Sequence, residues 1–171
     1  EAVGDVRFDV EVEPAAGATS VFVTIVDPSN SGRQIRLDLA VEGGLPRTTL
    51  LFGDQELADA KLGAVKLKPG AKSRVVLDNV DQTIVVRVDG DEVFRTTYEV
   101  KPGRTGGLVP ATIVRTGVRG GAASFSKLAV FRDIYYTEYP NAPSTFDVPP
   151  DSYLCFGDNS PNSLDARAFR M

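Results

Sequence analysis

The chain contains no histidine and no tryptophan, and it has only one cysteine and one methionine. Without histidine it can form neither a Ser-His-Asp or Cys-His catalytic group nor a zinc site that uses imidazole. The single thiol, Cys155, excludes an intrachain disulfide, and its apolar neighbours predict a buried, unreactive side chain. The absence of tryptophan removes a common platform for stacking sugars, which counts against carbohydrate binding.

Long apolar runs are also missing, so the sequence predicts no segment that spans a bilayer. The first residues contain neither the basic region nor the apolar stretch of a signal peptide, and both ends read as cuts in a longer protein. The net charge of −4 disfavours binding to nucleic acid, because phosphate groups are repelled. Hydrophobic residues make up 42% of the 171 residues, which is enough for a packed core.

Short alternating patterns run through most of the chain and predict β-strands. Val6, Phe8, Val10 and Val12 alternate with polar residues, as in a strand with one buried face. Residues 20–27 are apolar on both faces, which is typical of a strand in the middle of a sandwich. The period of two predicts a core that includes the following residues: Phe8, Val23, Ile25, Leu37, Ile84, Val86 and Val130.

Turn signals separate these runs. Asp89-Gly90 predicts a tight hairpin, because glycine tolerates positive φ, and Pro69-Gly70 predicts another turn. Residues 54–61 fit either a helical turn or a loop. About nine to eleven short strands with frequent turns and no long helix indicate an all-β fold, an antiparallel sandwich or jelly roll.

Two stretches of the sequence resemble the concanavalin-A-like and laminin-G jelly rolls: residues 79–94, which contain a VDG hairpin, and residues 125–136. The resemblance extends over residues 5–138. After Tyr136 the composition changes, and the sequence becomes rich in proline and serine. We therefore predict a sandwich domain over residues 1–138, a linker over 139–147 and a separate unit over 148–171.

The third segment carries a sharper resemblance. Residues 148–167 read VPPDSYLCFGDNSPNSLDAR and resemble the last box of bacterial type I signal peptidases, as in planctomycetes. Ala166 departs from the serine usual in that family, and Ser160 replaces a common arginine. The remaining fixed positions of the box match: Val148, Pro149, Tyr153, Gly157, Asp158, Asn159, Ser163, Asp165 and Arg167.

The resemblance implies a fragment of a membrane-bound serine endopeptidase with a Ser-Lys dyad, which removes signal peptides at the outer face of the bacterial inner membrane. The motifs of the nucleophile and of the base are absent, so both would precede Glu1 and the fragment would be inactive. By the family's pattern Ser163 would orient the base lysine and Asp165 would pair with Arg167. Gly157, Asp158 and Asn159 would shape the supporting loop. Exported preproteins and the membrane would be the partners, with no cofactor and no metal.

Other interpretations remain open. The sandwich could be a laminin-G-like or lectin-like module that binds glycan or protein. It could also be a jelly-roll glycosidase, since Asp9, Glu11 and Glu13 share one strand face, although such a face is more commonly solvated. Asp158, Ser160 and Asn162 have calcium-loop spacing, but the rest of that loop does not fit. The basic residues on the later strands are predicted to be dispersed and solvated: Arg115, Arg119 and Arg132.

Overall fold

The computed structural model describes residues 5–27, 33–99, 112–132 and 147–153. The chain divides into two compact units, Ala2–Arg132 and Asp133–Met171 with Glu1. The first unit is an antiparallel β-sandwich, as the alternating sequence pattern predicts. The predicted domain limits at residues 138, 139–147 and 148 stay predictions.

One layer is a five-stranded antiparallel sheet with the strand order β11-β1-β7-β8-β9. Its strands, in chain order, are β1 (Val6–Pro14), β7 (Ser73–Val80), β8 (Thr83–Val88), β9 (Asp91–Thr97) and β11 (Ala123–Arg132).

The other layer is a six-stranded sheet in which β10, β2, β3, β4 and β5 pair in that order and β6 adds to β3 in parallel. Its strands are β2 (Ser20–Asp27), β3 (Arg33–Val41), β4 (Thr49–Phe52), β5 (Gln55–Glu56), β6 (Lys66–Leu67) and β10 (Ile113–Arg119). A short helix, α1 (Ala60–Ala64), lies between β5 and β6 and overlaps only the end of residues 54–61, for which the sequence left helix and loop open.

The core consists of alternate residues from both sheets, because side chains alternate between the faces of a strand. Six of the seven predicted core residues are buried: Phe8, Val23, Ile25, Leu37, Ile84 and Val86. The prediction for Val130 is wrong, since 58% of its surface is exposed. Val130 lies opposite Phe8 on β11, which is an edge strand, and an edge position is covered less completely than a central one.

Two tight turns connect the strands of the five-stranded sheet. Asp89 and Gly90 both have positive φ (54° and 93°), which confirms the predicted hairpin between β8 and β9. Asp81 and Gln82 form an equivalent turn between β7 and β8, with φ of 49° and 59°. This second turn contains no glycine, so its left-handed conformation had no strong signal in the sequence.

The edge strand β11 carries a bulge beside Val10. The pairing shifts between Asp9 and Glu11, and Lys127 has a φ of 51° at the irregularity. A bulge on an edge strand disfavours pairing with another chain, because it interrupts the row of free backbone groups. A lysine there also disfavours such pairing, because its charge would have to be buried. Lys127 also donates to the Glu11 carboxylate at 3.0 Å, which fixes the bulge to β1.

Only residues 147–153 of the second unit are described. They contain a turn in which the Ser152 amide donates to the Pro149 carbonyl at 3.2 Å and Asp151 has a φ of 60°. In the described ranges no helix is long and apolar enough to cross a membrane.

Candidate functional site

The candidate site lies on the outer face of the six-stranded sheet and is built around Phe22. Val21 and Val23 point into the core from β2, so Phe22 between them must point outward. It is the only aromatic residue of β2, and its side chain is half-buried. On this face Phe22 pairs with Gly117 of β10 on one side and with Asp38 of β3 on the other.

Gly117 supports the phenylalanine ring. A Cβ atom at position 117 would lie 2.6 Å from the Cζ atom of Phe22, which is closer than side-chain atoms approach each other. The ring therefore occupies the space that any other residue at 117 would fill. The hydroxyl of Thr116 also donates to the Phe22 carbonyl at 3.0 Å, which ties β10 to β2 at this point.

Three charged side chains surround the ring. The Arg36 guanidinium donates twice to the Asp38 carboxylate, at 2.8 and 3.1 Å, and its central carbon lies 5.4 Å from the centre of the Phe22 ring. Arg119 reaches across β2 to within 3.5 Å of the same carboxylate and 5.8 Å of the same ring. These distances are those of cation–π contacts. We refer to Phe22, Arg36, Asp38 and Arg119 as the Phe22 cluster.

The Phe22 cluster combines a buried anchor with accessible donors. The side chain of Asp38 is only 9% exposed, whereas those of Arg36 and Arg119 are 30% and 50% exposed. The buried carboxylate orients Arg36 through two hydrogen bonds and holds Arg119 nearby through an ion pair. The accessible part of the cluster is therefore an aromatic ring beside two oriented, planar hydrogen-bond donors.

Arg115 extends the same face. It pairs with Thr24 of β2, and Thr24 pairs on its other side with Arg36, so the two arginines flank one threonine. Thr24 is 6% exposed although it lies on the outer face. Among the described residues Arg115 has no ion-pair partner, which distinguishes it from Arg36 and Arg119.

The outer face of the five-stranded sheet has a different character, because most of its described charged side chains are paired with each other. Asp78 accepts from Arg87 and lies 3.5 Å from Arg7. Glu92 forms a pair with Arg95 at 2.7 Å and a longer contact with Arg87. The hydrogen bond from Arg95 lowers the pKa of the Glu92 carboxyl.

The strand face that suggested a glycosidase belongs to this paired surface. Asp9 accepts two hydrogen bonds from Arg74, and the pKa of its carboxyl is lowered chiefly by them. Hydrogen bonds from Lys127, Lys72 and Ser126 lower the pKa of Glu11 to about 2. A general acid needs a raised pKa, so neither carboxyl has the property that the glycosidase interpretation requires.

A second aromatic group lies at one end of the sandwich. The rings of Phe52 and Tyr98 are 4.6 Å apart, and Arg33 lies 4.7 Å above Phe52. The Tyr98 hydroxyl lies 2.7 Å from the Oδ1 atom of Asn79, which accepts its hydrogen bond. These contacts join β4 of one sheet to β7 of the other, and we interpret the group as packing between the layers.

The site residues predicted from the box lie outside the described residues, and their roles stay predictions: Gly157, Asp158, Asn159, Ser163, Asp165 and Arg167. The described ranges contain no group of three residues suited to hold a metal ion.

Sequence reasoning missed the Phe22 cluster for two reasons. Residues 20–27 are apolar on both faces, a pattern typical of the middle of a sandwich, and it gives no sign that the Phe22 side chain lies on an accessible face. Arg119 is exposed, as predicted, but the prediction that it is dispersed is wrong, because it contacts Asp38 and Phe22. One signal for the cluster was available in the sequence. Arg36 and Asp38 have opposite charges and are two residues apart, so both lie on the strand face that carries Gln34.

No protein-family model matches the chain, and no curated protein matches it in sequence. Among solved structures, the carbohydrate-binding module CBM66 from Bacillus subtilis has 8% identity over 74% of this chain and 74% of its own, with a TM-score of 0.50. Chicken galectin 2 has 12% identity over 74% of this chain and 89% of its own, with a TM-score of 0.47. Domains LG4-5 of the mouse laminin alpha1 chain have 12% identity over 77% and 41%, with a TM-score of 0.40. Such identities show the fold alone.

These comparisons confirm the predicted jelly-roll sandwich and contradict the predicted function. The prediction of a signal peptidase fragment is wrong, because no peptidase family model matches and the similar structure with a TM-score of 0.50 is a carbohydrate-binding module. The prediction of a serine endopeptidase as the parent protein is contradicted by the same finding. Signal peptides as partners and a place at the bacterial inner membrane are likewise unsupported.

Proposed function

We propose that this chain is a glycan-binding module that holds a sugar on the outer face of the six-stranded sheet, at the Phe22 cluster. The observation that carries the proposal is the half-buried ring of Phe22 beside two guanidiniums fixed by one buried carboxylate. The module from Bacillus subtilis, whose name describes carbohydrate binding, has the same general fold. The proposal corresponds to the lectin-like alternative that the sequence left open.

The chemistry of the Phe22 cluster matches that of a sugar. A pyranose has apolar C–H patches that pack against an aromatic ring and a rim of hydroxyl groups that need hydrogen-bond partners. Arg36 and Arg119 supply planar donors to the hydroxyl oxygens of the sugar. A phenylalanine ring therefore replaces the tryptophan platform whose absence had counted against carbohydrate binding.

Rigidity of the site favours binding, because ordering side chains on association lowers affinity. Gly117 and Thr116 hold Phe22 in place from β10, and Asp38 holds the two arginines. The site also lies on paired strands of a sheet, which keep their geometry better than loops do.

We infer the same domain limits as the sequence indicated, with the module in residues 1–138, a linker over 139–147 and a separate segment over 148–171. The last described strand, β11, ends at Arg132, which is compatible with these limits.

The proposal can be tested with the whole chain on an array of neutral, uronate-containing and sulfated glycans, followed by titration calorimetry with the glycans that bind. The test variant is Phe22→Ala, and the matched control is Phe131→Ala. Phe131 lies opposite Arg7 on the edge of the five-stranded sheet and is 53% exposed, so the control removes the same side chain from the other face.

We expect Phe22→Ala to weaken binding about 30-fold or more, as for a central aromatic anchor, while Phe131→Ala leaves it unchanged. Circular dichroism should show that both variants keep the fold. Binding that survives Phe22→Ala, binding lost in Phe131→Ala, or an array without any bound glycan would overturn the proposal.

A further inference from the structure

The charge around Phe22 has the opposite sign to that of the whole chain. The chain carries a net charge of −4, yet the strand face around Phe22 carries three arginines and one aspartate: Arg36, Arg115, Arg119 and Asp38. Local positive charge on an acidic protein attracts anionic ligands to that one region.

Arg115 gives the strand face around Phe22 its excess of positive charge. Asp38 compensates Arg36 directly and Arg119 at 3.5 Å, but among the described residues no carboxylate pairs with Arg115. On the other sheet, by contrast, the arginines Arg74, Arg87 and Arg95 each contact an acidic side chain. The side chain of Arg115 is exposed and therefore accessible to a ligand.

The position of Arg115 relative to the ring suits a single bound sugar chain. Arg115 lies on β10 two residues before Gly117, on which the Phe22 ring rests. Residues two apart on a strand are separated by about 7 Å and share a face. That spacing is comparable to the length of one or two sugar units, so a glycan on the ring can present a substituent to Arg115.

We propose that the site selects glycans that bear an anionic oxygen group, a carboxylate or a sulfate, and that Arg115 is the residue that binds this group. The inference rests on the proposed function and adds the class of ligand to it. The guanidinium forms two parallel hydrogen bonds to either group, which gives both charge and geometry to the recognition. A neutral sugar offers Arg115 only hydroxyl groups, and these bind a guanidinium more weakly than a charged partner does.

The test compares sugars that differ only in charge. Hexagalacturonate is paired with its fully methyl-esterified form, and a carrageenan hexasaccharide is paired with its own desulfated form. The first pair tests carboxylate and the second tests sulfate. Titration calorimetry is performed with the native chain, with Arg115→Gln and with Arg95→Gln, at low and at high salt.

Arg95→Gln is the matched control, because it removes the same charge from an exposed strand residue on the other sheet. Both variants change the net charge equally, so a general electrostatic attraction would be weakened equally in both. A specific contact would be weakened only in Arg115→Gln.

We expect at least one charged sugar to bind about tenfold or more tightly than its neutral counterpart, which corresponds to one charge-assisted interaction. Arg115→Gln should reduce that ratio to nearly one, whereas Arg95→Gln should keep it. Salt should reduce the ratio too, because the Debye length falls to about 3 Å at 1 M.

The outcomes separate this inference from the proposed function. If charged and neutral sugars bind equally and Phe22→Ala abolishes that binding, the inference is overturned but the proposed glycan-binding function stands. A ratio unchanged by Arg115→Gln would assign the anionic group to another residue and overturn the role of Arg115. Binding of no sugar, charged or neutral, would overturn both proposals.

Discussion

The outer faces of the two sheets use the same structural element in different ways. Each face has one poorly exposed aspartate between two arginines, Asp78 with Arg7 and Arg87 on the five-stranded sheet and Asp38 with Arg36 and Arg119 on the six-stranded sheet. On the five-stranded sheet further acidic and basic residues extend the pairing. On the six-stranded sheet the two arginines that contact Asp38 also contact the aromatic ring of Phe22.

The comparison separates charges that stabilise a surface from charges that can bind a ligand. A carboxylate and a guanidinium that satisfy each other have little to offer a third group, as in the pair of Glu92 and Arg95. A guanidinium such as that of Arg119, which approaches its carboxylate only to 3.5 Å, still has donors available for a ligand. We therefore assign structure to the first face and binding to the second.

The largest expected effect comes from replacing the central aspartate of each face. Asp38→Asn and Asp78→Asn should each lower the free energy of unfolding by about 1–3 kcal/mol, because each leaves two guanidiniums without their carboxylate. Chemical denaturation measures this loss. Only Asp38→Asn should also weaken glycan binding, by about tenfold. If both variants weaken binding equally, the two faces do not differ in function.

An intermediate effect is expected at the contact below the ring. Gly117→Ala places a Cβ atom 2.6 Å from Phe22 and must displace the ring, so glycan binding should weaken about tenfold. The control is Gly63→Ala in α1, where an added Cβ meets no atom within 4 Å. Calorimetry would measure both affinities, and unchanged binding in Gly117→Ala would mean that the position of the ring does not matter.

The smallest expected effect concerns acid stability and the five-stranded sheet. The pKa of Glu11 is about 2 in the folded chain against 4.5 for the free side chain, owing mainly to hydrogen bonds from Lys127 and Lys72. Its stabilising contribution is complete above pH 4.5 and is lost as the pH falls towards 2. Glu11→Gln should therefore flatten the fall in urea midpoint between pH 5 and pH 2.5.

The control for this change is Glu13→Gln on the same strand, since Glu13 has no ion-pair partner among the described residues. Its midpoint should depend on pH as that of the native chain does. Glycan binding at pH 7 should be unaffected by either variant. If the urea midpoint of Glu11→Gln falls with pH as that of the native chain does, the lysine contacts of Glu11 contribute nothing to stability.

The fold could be predicted from the sequence because alternation along a strand is a local property. Phe8 and Leu37 each alternate with polar neighbours, and the period of two assigns them to a buried face without knowledge of the partner strand. The same pattern does not reveal which strand is at an edge. For that reason Val130, which has the correct period, was wrongly assigned to the core.

The candidate site could not be predicted, because it depends on the order of strands. Phe22, Asp38 and Gly117 become neighbours only when β10 pairs with β2 and β2 pairs with β3. Contacts so distant in sequence leave no short motif. The one conspicuous motif, around Gly157 to Ser163, directed the functional prediction towards a peptidase, which the comparisons contradict.

The most direct test of the difference between the faces is a titration of the isotopically labelled chain with the tighter-binding of the two charged hexasaccharides, followed by amide chemical shifts in NMR. We expect the shifts to move for Phe22, Arg36 and Gly117 and to remain constant for Val85 and Arg95 on the other sheet. Shifts confined to the five-stranded sheet, or none on β10, β2 and β3, would contradict the assignment of binding to the six-stranded face.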